Sequence, residues 1–263
     1  MAAELNICVV PVSVRFGGQE FRSGIDLSAQ DFYLKLAKSN IHPHTSQPSP
    51  QDFAKVFHEI EGGCEGIISI NISSKLSGTV NSANQAKSIV RANYPIEVID
   101  SQYNSVGLGL IVIIAARLAK SGAGMSQIVE TVKESIKKTG MLGIFDTMKY
   151  LVRGGRVSRL RASAAQILRV KPLLTFCDGE VAQAGLVRSY QQGVNKIVEF
   201  VSEQGKISEL AIAHSMVPQR AAELKFMLGK LFPINKIIIA ELGPALGAHG
   251  GPGVLLVGLQ RER

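Results

Sequence analysis

Ile67-Ile-Ser-Ile-Asn-Ile72, running through Ser73-Ser-Lys-Leu-Ser77-Gly78-Thr79 into Val80-Asn-Ser-Ala-Asn-Gln-Ala-Lys-Ser-Ile-Val90, decides the fold class. The first run is rich in β-branched residues, as a buried strand is, and the last carries a helical pattern. Further strand candidates are Ile96 to Ile99, Met141 to Phe145, Leu210 to Ala213 and Ile237 to Ala240, each separated from the next by helix-like segments. This rhythm predicts an α/β protein whose first half is a largely parallel sheet with flanking helices. Near Asp178-Gly179 the pattern changes. Leu173-Leu-Thr-Phe-Cys177, the Asp-Gly pair and Glu180-Val-Ala-Gln183 read as a β-hairpin, which antiparallel strands make and parallel ones do not. The expectation is therefore two domains, an α/β domain over 1–140 and a mixed α+β domain over 141–263. The boundary is placed near Gly140, after a Lys-Lys-Thr-Gly helix ending.

The chain has 263 residues, 46% of them hydrophobic, enough to bury a substantial core. Its net charge of +8 favours an acidic partner, whether nucleic acid, anionic membrane, acidic protein or anionic small molecule. Cys8, Cys64 and Cys177 are far apart with no CxxC, which indicates neither a disulfide framework nor a zinc site and fits a reducing cytoplasm. The start has no basic region before an apolar stretch. The longest apolar run, Leu108 to Ala116, is too short to span a bilayer, so a soluble cytoplasmic protein is expected.

Gly243-Pro-Ala-Leu-Gly-Ala-His249-Gly-Gly-Pro-Gly253 reads as a glycine- and proline-rich loop around one imidazole. A loose turn explains the glycines but not the lone ring, so His249 is expected to face a ligand. Ser77 stands where a strand hands over to a helix. With Gly78 and Thr79 it could offer an anion the free N–H groups of a helix N-terminus, or simply cap that helix, and position alone favours the cap. Upstream, Ser49-Pro50-Gln51-Asp52 is a helix entry, which leaves Thr45 and Ser46 as loop hydroxyls on the ligand side of the sheet. His42 and His44 lack the company of a metal pair and read as exposed loop histidines. Between Lys149 and Lys171 lie Arg153, Arg156, Arg159, Arg161 and Arg169 with no acid among them, a solvated face or a docking surface. In Arg153-Gly-Gly-Arg156 the glycines break helix and redirect the arginines. Phosphate-loop, dinucleotide and nucleophile-elbow motifs are absent.

Taken together, Thr45-Ser-Gln-Pro-Ser-Pro50, Ile72-Ser-Ser-Lys-Leu-Ser-Gly-Thr79, Asp146-Thr-Met-Lys-Tyr-Leu-Val-Arg-Gly-Gly-Arg156 and the segment around His249 resemble the DegV family of fatty-acid-binding proteins, in order and spacing. The resemblance implies a two-domain α/β protein with a long-chain fatty acid buried between the domains, and no cofactor, metal or catalytic residue of its own. It also implies a partner, a fatty acid kinase that phosphorylates the presented carboxylate for phospholipid synthesis. Thr45, Ser46, Ser77, Gly78, Thr79 and His249 would form the ligand's polar end, and Arg156 would lie close to it or to the kinase. Transient contact with an anionic membrane fits the charge, and nucleic acid is not an expected partner.

Members of the family usually open with a strand ending in an Asp-Ser loop. This chain resembles one entered after that strand, with Ile7-Cys-Val-Val-Pro-Val-Ser-Val14 as its first. His44 stands where the family commonly has threonine, and Ser23 where an aspartate precedes Gly-Ile-Asp. Two other readings of the same residues are a serine acyl hydrolase, with Ser77 as nucleophile, His249 as base and Asp100 or Asp146 as the orienting acid, and a basic nucleic-acid-binding module over Arg153 to Lys171.

Overall fold

The computed structural model describes residues 1–60, 63–90, 92–156 and 170–262. A short hairpin, β1 (Ser13–Phe16) and β2 (Gln19–Arg22), leads to α1 (Ala29–Lys38), β3 (His44–Ser46) and α2 (Pro50–Glu59). Then come β4 (Ile67–Asn71), α3 (Thr79–Val90), β5 (Ile96–Asp100) and the helices α4 (Ser105–Lys120) and α5 (Met125–Lys138). The rest of the chain comprises β6 (Thr139–Ile144), α6 (Lys149–Arg153), β7 (Lys171–Cys177), β8 (Glu180–Val187), α7 (Tyr190–Ser202), β9 (Ile207–His214), α8 (Pro218–Leu228), β10 (Ile238–Glu241), α9 (Pro244–Gly250) and β11 (Leu255–Arg261). The fold is mixed α/β, as the strand and helix rhythm predicts.

Three sheets organise these elements. β4 and β5 pair in parallel, joined by α3 as crossover, which is the unit read from Ile67 to Val90. Among the described strands of the first half only β4 and β5 pair in parallel, and β2-β1-β3 is antiparallel throughout. The third sheet has the order β10-β9-β11-β6-β7-β8, with only β9 and β10 parallel. Its β7-β8 hairpin closes through Asp178 at φ 50° and Gly179 at φ 82°, the double left-handed turn that an Asp-Gly pair supplies.

The six-stranded sheet is covered on both faces, so β6 is buried at every position. One face packs Ile144, Leu210, Ile212, Leu255, Val257 and Leu259 against Val194, Ile197 and Val201 of α7 and Leu224 and Leu228 of α8. The opposite face packs Met141, Ala211, Ala213 and Leu256 against Val106 and Leu110 of α4. Alternation along β11 produces this division, since successive side chains point to opposite faces. Gly258 lets α4 come close: a Cβ there would lie 3.0 Å from Val106 and 3.2 Å from the Gly107 nitrogen. The other side of α4 contributes Ile111 and Ala115 to a cluster with Ile99, Ile128 and Val132. α4 is thus buried between the β4-β5 unit and the large sheet, which explains its long apolar run.

Two local expectations change. The apolar run from Ile7 is not a strand over its length, and pairing starts at Ser13. Pro11 removes a donor and Val9 stays 66% exposed, so the run lacks the half-buried alternation of a strand. Thr45 and Ser46 lie on a strand rather than a loop, paired with Val14 and Ser13 in the register β1 to β3. The Ser49 entry to α2 forms as read, with Pro50 in the first turn and a reciprocal capping box between Ser49 and Asp52.

Candidate functional site

Within the segment from Gly243 to Gly253, Pro244–Gly250 form a short helix, α9, rather than a loop. Pro244 starts it at a position where the missing N–H costs nothing, and Gly251, at φ 70°, ends it by donating to the Gly247 carbonyl at 2.8 Å. Its glycines serve close packing. A Cβ on Gly247 would lie 2.7 Å from Phe32 and from the Tyr33 hydroxyl, and one on Gly251 would overlap the Tyr150 ring. α9 therefore sinks between the small sheet with α1 on one side and the large sheet on the other, with Ala248 fully buried and Leu246 packed beside Leu242.

This placement carries His249 to β3, where its Nε2 lies 2.8 Å from the Thr45 Oγ1. Its Nδ1 is buried, has no hydrogen-bond partner among the described residues and faces Gly154, where an added Cβ would overlap it. Burial, reinforced by the positive charge of Arg156 and the nearby His42 and His44, lowers the His249 pKa to about 4. The imidazole is neutral at neutral pH and can exchange hydrogen bonds without adding charge.

Arg156 reaches the same place through the end of α6. The Gly155 amide bonds Val152 and the Arg156 amide bonds Leu151, with Gly155 at φ 69°, a Schellman closure that turns the chain sharply. Arg156 then donates Nε to the Leu76 carbonyl at 3.3 Å and Nη1 to the Gly154 carbonyl at 2.6 Å. The glycine pair thus redirects an arginine inward. Of the rest of the basic segment, Lys171 pairs with Asp146 at 2.6 Å and Lys149 lies over the Tyr150 ring, while Arg159, Arg161 and Arg169 lie outside the described residues. His42 is half-buried near Tyr150, not an exposed loop residue, and burial lowers its pKa.

Ser77 does not cap α3 with its hydroxyl, which lies 2.8 Å from that of Thr79. The turn before it is pinned by the Ser73 hydroxyl donating to the Gly179 carbonyl at 2.6 Å, a tie to the β7-β8 hairpin. Thr79 is buried behind Ser77, and Gly78 lies under the Gln47 amide, whose Nε2 donates to Ser82.

These elements enclose a cavity of about 310 Å³ whose wall includes Thr45, Ser46, Gln47, Ser77, Arg156 and His249, with Val12, Ile72, Leu76 and Ala245 between them. A further chamber of about 70 Å³ shares Asn104, Leu151, Val181, Leu246 and His249 with it and continues among Met141, Phe145, Leu174, Phe176 and Leu256. The arrangement is a polar, hydroxyl-rich end with one cation and no carboxylate among its described lining, opening onto an apolar interior. Gly78 and Thr79 do not line it; they support Ser77 and Gln47. The sequence reading missed Asn104 and the apolar wall of Leu151, Val181 and Leu246. Asn104 follows the carboxyl end of a parallel strand, a position that could have flagged it. Leu151, Val181 and Leu246 belong to ordinary apolar patterns, indistinguishable from core before folding.

His249 is bonded to Thr45 rather than to Ser77. Asp100 accepts from the amides of Ser74 and Gln102, and Asp146 accepts from Lys171, so neither carboxylate orients the imidazole. Among the described residues no His, Cys, Asp and Glu group could hold a metal ion, and no helix is long and apolar enough to cross a membrane.

Fold and cavity together define an α/β protein built around a pocket with a polar end and an apolar interior. The chain belongs to the DegV family, whose model, described as an uncharacterised protein of that family, matches residues 1–262. It is 35% identical over 249 residues to a DegV domain-containing protein of Caldanaerobacter subterraneus subsp. tengcongensis, covering 94% of this chain and 88% of that one. Two solved structures superpose over the whole chain and 94% of their own: a fatty-acid-binding DegV family protein from Thermus thermophilus, with TM-score 0.91 and 27% identity, and DegV, a fatty acid binding protein from Bacillus subtilis, with TM-score 0.90 and 28% identity.

Proposed function

We propose that this protein binds a long-chain fatty acid, with the carboxylate among Thr45, Ser77 and His249 near Arg156 and the chain in the apolar interior. The observation that carries this reading is the polarity gradient of the cavity: neutral hydrogen-bonding groups and one cation at one end, aliphatic and aromatic walls at the other. Its volume of about 310 Å³ lies at the lower end of the range for small-molecule sites. The fatty-acid-binding proteins from Thermus thermophilus and Bacillus subtilis that share the fold support the same ligand class.

A tail of about fourteen methylenes, at ~0.8 kcal/mol each, supplies on the order of 11 kcal/mol before ordering costs, so the tail drives affinity. The polar end decides where the carboxylate points and keeps it from being buried unpaired. Ser46 and Gln47 are exposed at the cavity wall, which leaves that end within reach of a second protein. The protein accordingly acts as a cytoplasmic carrier that presents the carboxylate to a fatty acid kinase for acyl-phosphate formation in phospholipid synthesis. The chain's positive charge assists kinase docking or transient contact with an anionic membrane. In this reading residues 1–140 and 141–263 are two domains with the ligand between them, since Thr45, Ser77 and Asn104 line the cavity from one side and Leu151, Val181, Leu246 and His249 from the other.

Native and then denaturing mass spectrometry of the purified protein tests the reading. Release of one fatty acid per chain supports it. A folded protein that stays empty after incubation with C14 to C18 acids refutes it.

A further inference from the structure

Most of the polar groups that line the two chambers are already engaged. Thr45 pairs with His249, Ser77 with Thr79 and Gln47 with Ser82, while Thr175 donates to the Met141 carbonyl at 2.7 Å and Arg156 donates to two carbonyls. Asn104 is different. It stands at the start of α4 with extended backbone, φ −131° and ψ −170°, yet its side chain makes no capping bond, the usual work of asparagine there. It has no side-chain hydrogen bond to any described residue, and it lines both chambers. Ser105, beside it, lines the inner chamber, and its backbone is left-handed at φ 47°, uncommon for a residue other than glycine. Around them the shared wall is Leu151, Val181 and Leu246.

We infer that Asn104, seconded by Ser105, is a specificity-determining site for an oxygen function on the acyl chain, so that the preferred ligand is a hydroxylated or keto fatty acid. The inference rests on the fatty-acid reading above. A plain methylene chain passing Asn104 strips water from an amide that has no protein partner, whereas a chain hydroxyl or carbonyl at that depth gives it one. The amide carries both donor and acceptor, so it serves either oxygen function. A pocket built around such a bond discriminates strongly against the analogue that lacks it.

Calorimetric titration of the full-length, delipidated protein with palmitic acid and with hydroxypalmitic acids substituted near the carboxylate, mid-chain and near the tail is the test. One positional isomer is expected to bind about tenfold tighter than palmitic acid, the gain of about one well-placed hydrogen bond. In Asn104→Leu the order is expected to reverse, with palmitic acid the tighter ligand. Equal affinities in the wild type overturn the inference while leaving the fatty-acid reading intact, and a preference that survives Asn104→Leu does the same. Binding of none of the acids refutes both. The wild-type comparison stands by itself if the variant does not fold.

Discussion

Gly154→Ala sets two physical arguments against each other with opposite signs. Gly154 sits at the end of α6 with φ −77° and ψ −7°, a conformation alanine adopts freely. Backbone entropy alone therefore predicts a stabilisation of ~0.4–1 kcal/mol. The new Cβ would, however, overlap the His249 Nδ1, so the ring must leave the place from which it bonds Thr45. The loss is then the 2.8 Å bond between Thr45 and His249. That costs about 1 kcal/mol net, rising to about 3 kcal/mol if the imidazole stays dry with neither nitrogen paired. The bond outweighs the entropy, so Gly154→Ala is expected to lower stability by ~1–2 kcal/mol, read as a shifted urea midpoint at unchanged slope. A double-mutant cycle locates the cause: in a Thr45→Val background the bond is already absent, so Gly154→Ala should there cost much less. A stability gain in the single variant, or an undiminished loss in the Thr45→Val background, would refute the view that Gly154 is kept bare for His249.

The pH dependence follows from the lowered pKa of His249. Folded at about 4 against about 6.5 unfolded, the imidazole takes up its proton more readily in the unfolded chain between those values. Stability attributable to His249 is therefore complete above about pH 6.5 and falls as pH drops toward 4, by roughly 3 kcal/mol in all. Denaturation at pH 7 and pH 5 should show a steeper loss in the wild type than in His249→Gln, and equal slopes would contradict the assignment. Ser77→Ala is expected to reduce phosphorylation of the bound acid by a fatty acid kinase more than it reduces lipid retention, because the tail holds the ligand; loss of lipid from a folded variant would count against that. Gly258→Ala should cost ~1–3 kcal/mol in a thermal melt, since its Cβ would press on Val106 and the Gly107 nitrogen where α4 meets β11. Gly179→Ala should also destabilise, being left-handed at φ 82° with the Ser73 hydroxyl 2.7 Å from the new Cβ.

Local signals in this chain were those that one segment enforces alone. Short apolar runs announced β4, β5, β6, β9 and β10, Asp178-Gly179 announced a hairpin, and Ser49-Pro50-Gln51-Asp52 announced the start of α2, because each depends on backbone dihedrals and hydrogen bonds within a few residues. The residues singled out by their chemistry, Thr45, Ser77, Arg156 and His249, share one cavity wall. Their mutual geometry was not legible, since it depends on contacts between parts of the chain far apart in sequence. Only tertiary packing made a helix of Pro244–Gly250, because seven residues have no helical stability of their own until Phe32, Tyr33 and Tyr150 close around the segment. Tertiary packing likewise joined His249 to Thr45 across 204 positions, and set Leu151, Val181, Leu246 and Asn104 along a cavity wall. An apolar or amide side chain carries the same pattern in sequence whether it meets a neighbour or an empty volume, and that difference exists only once the elements have docked.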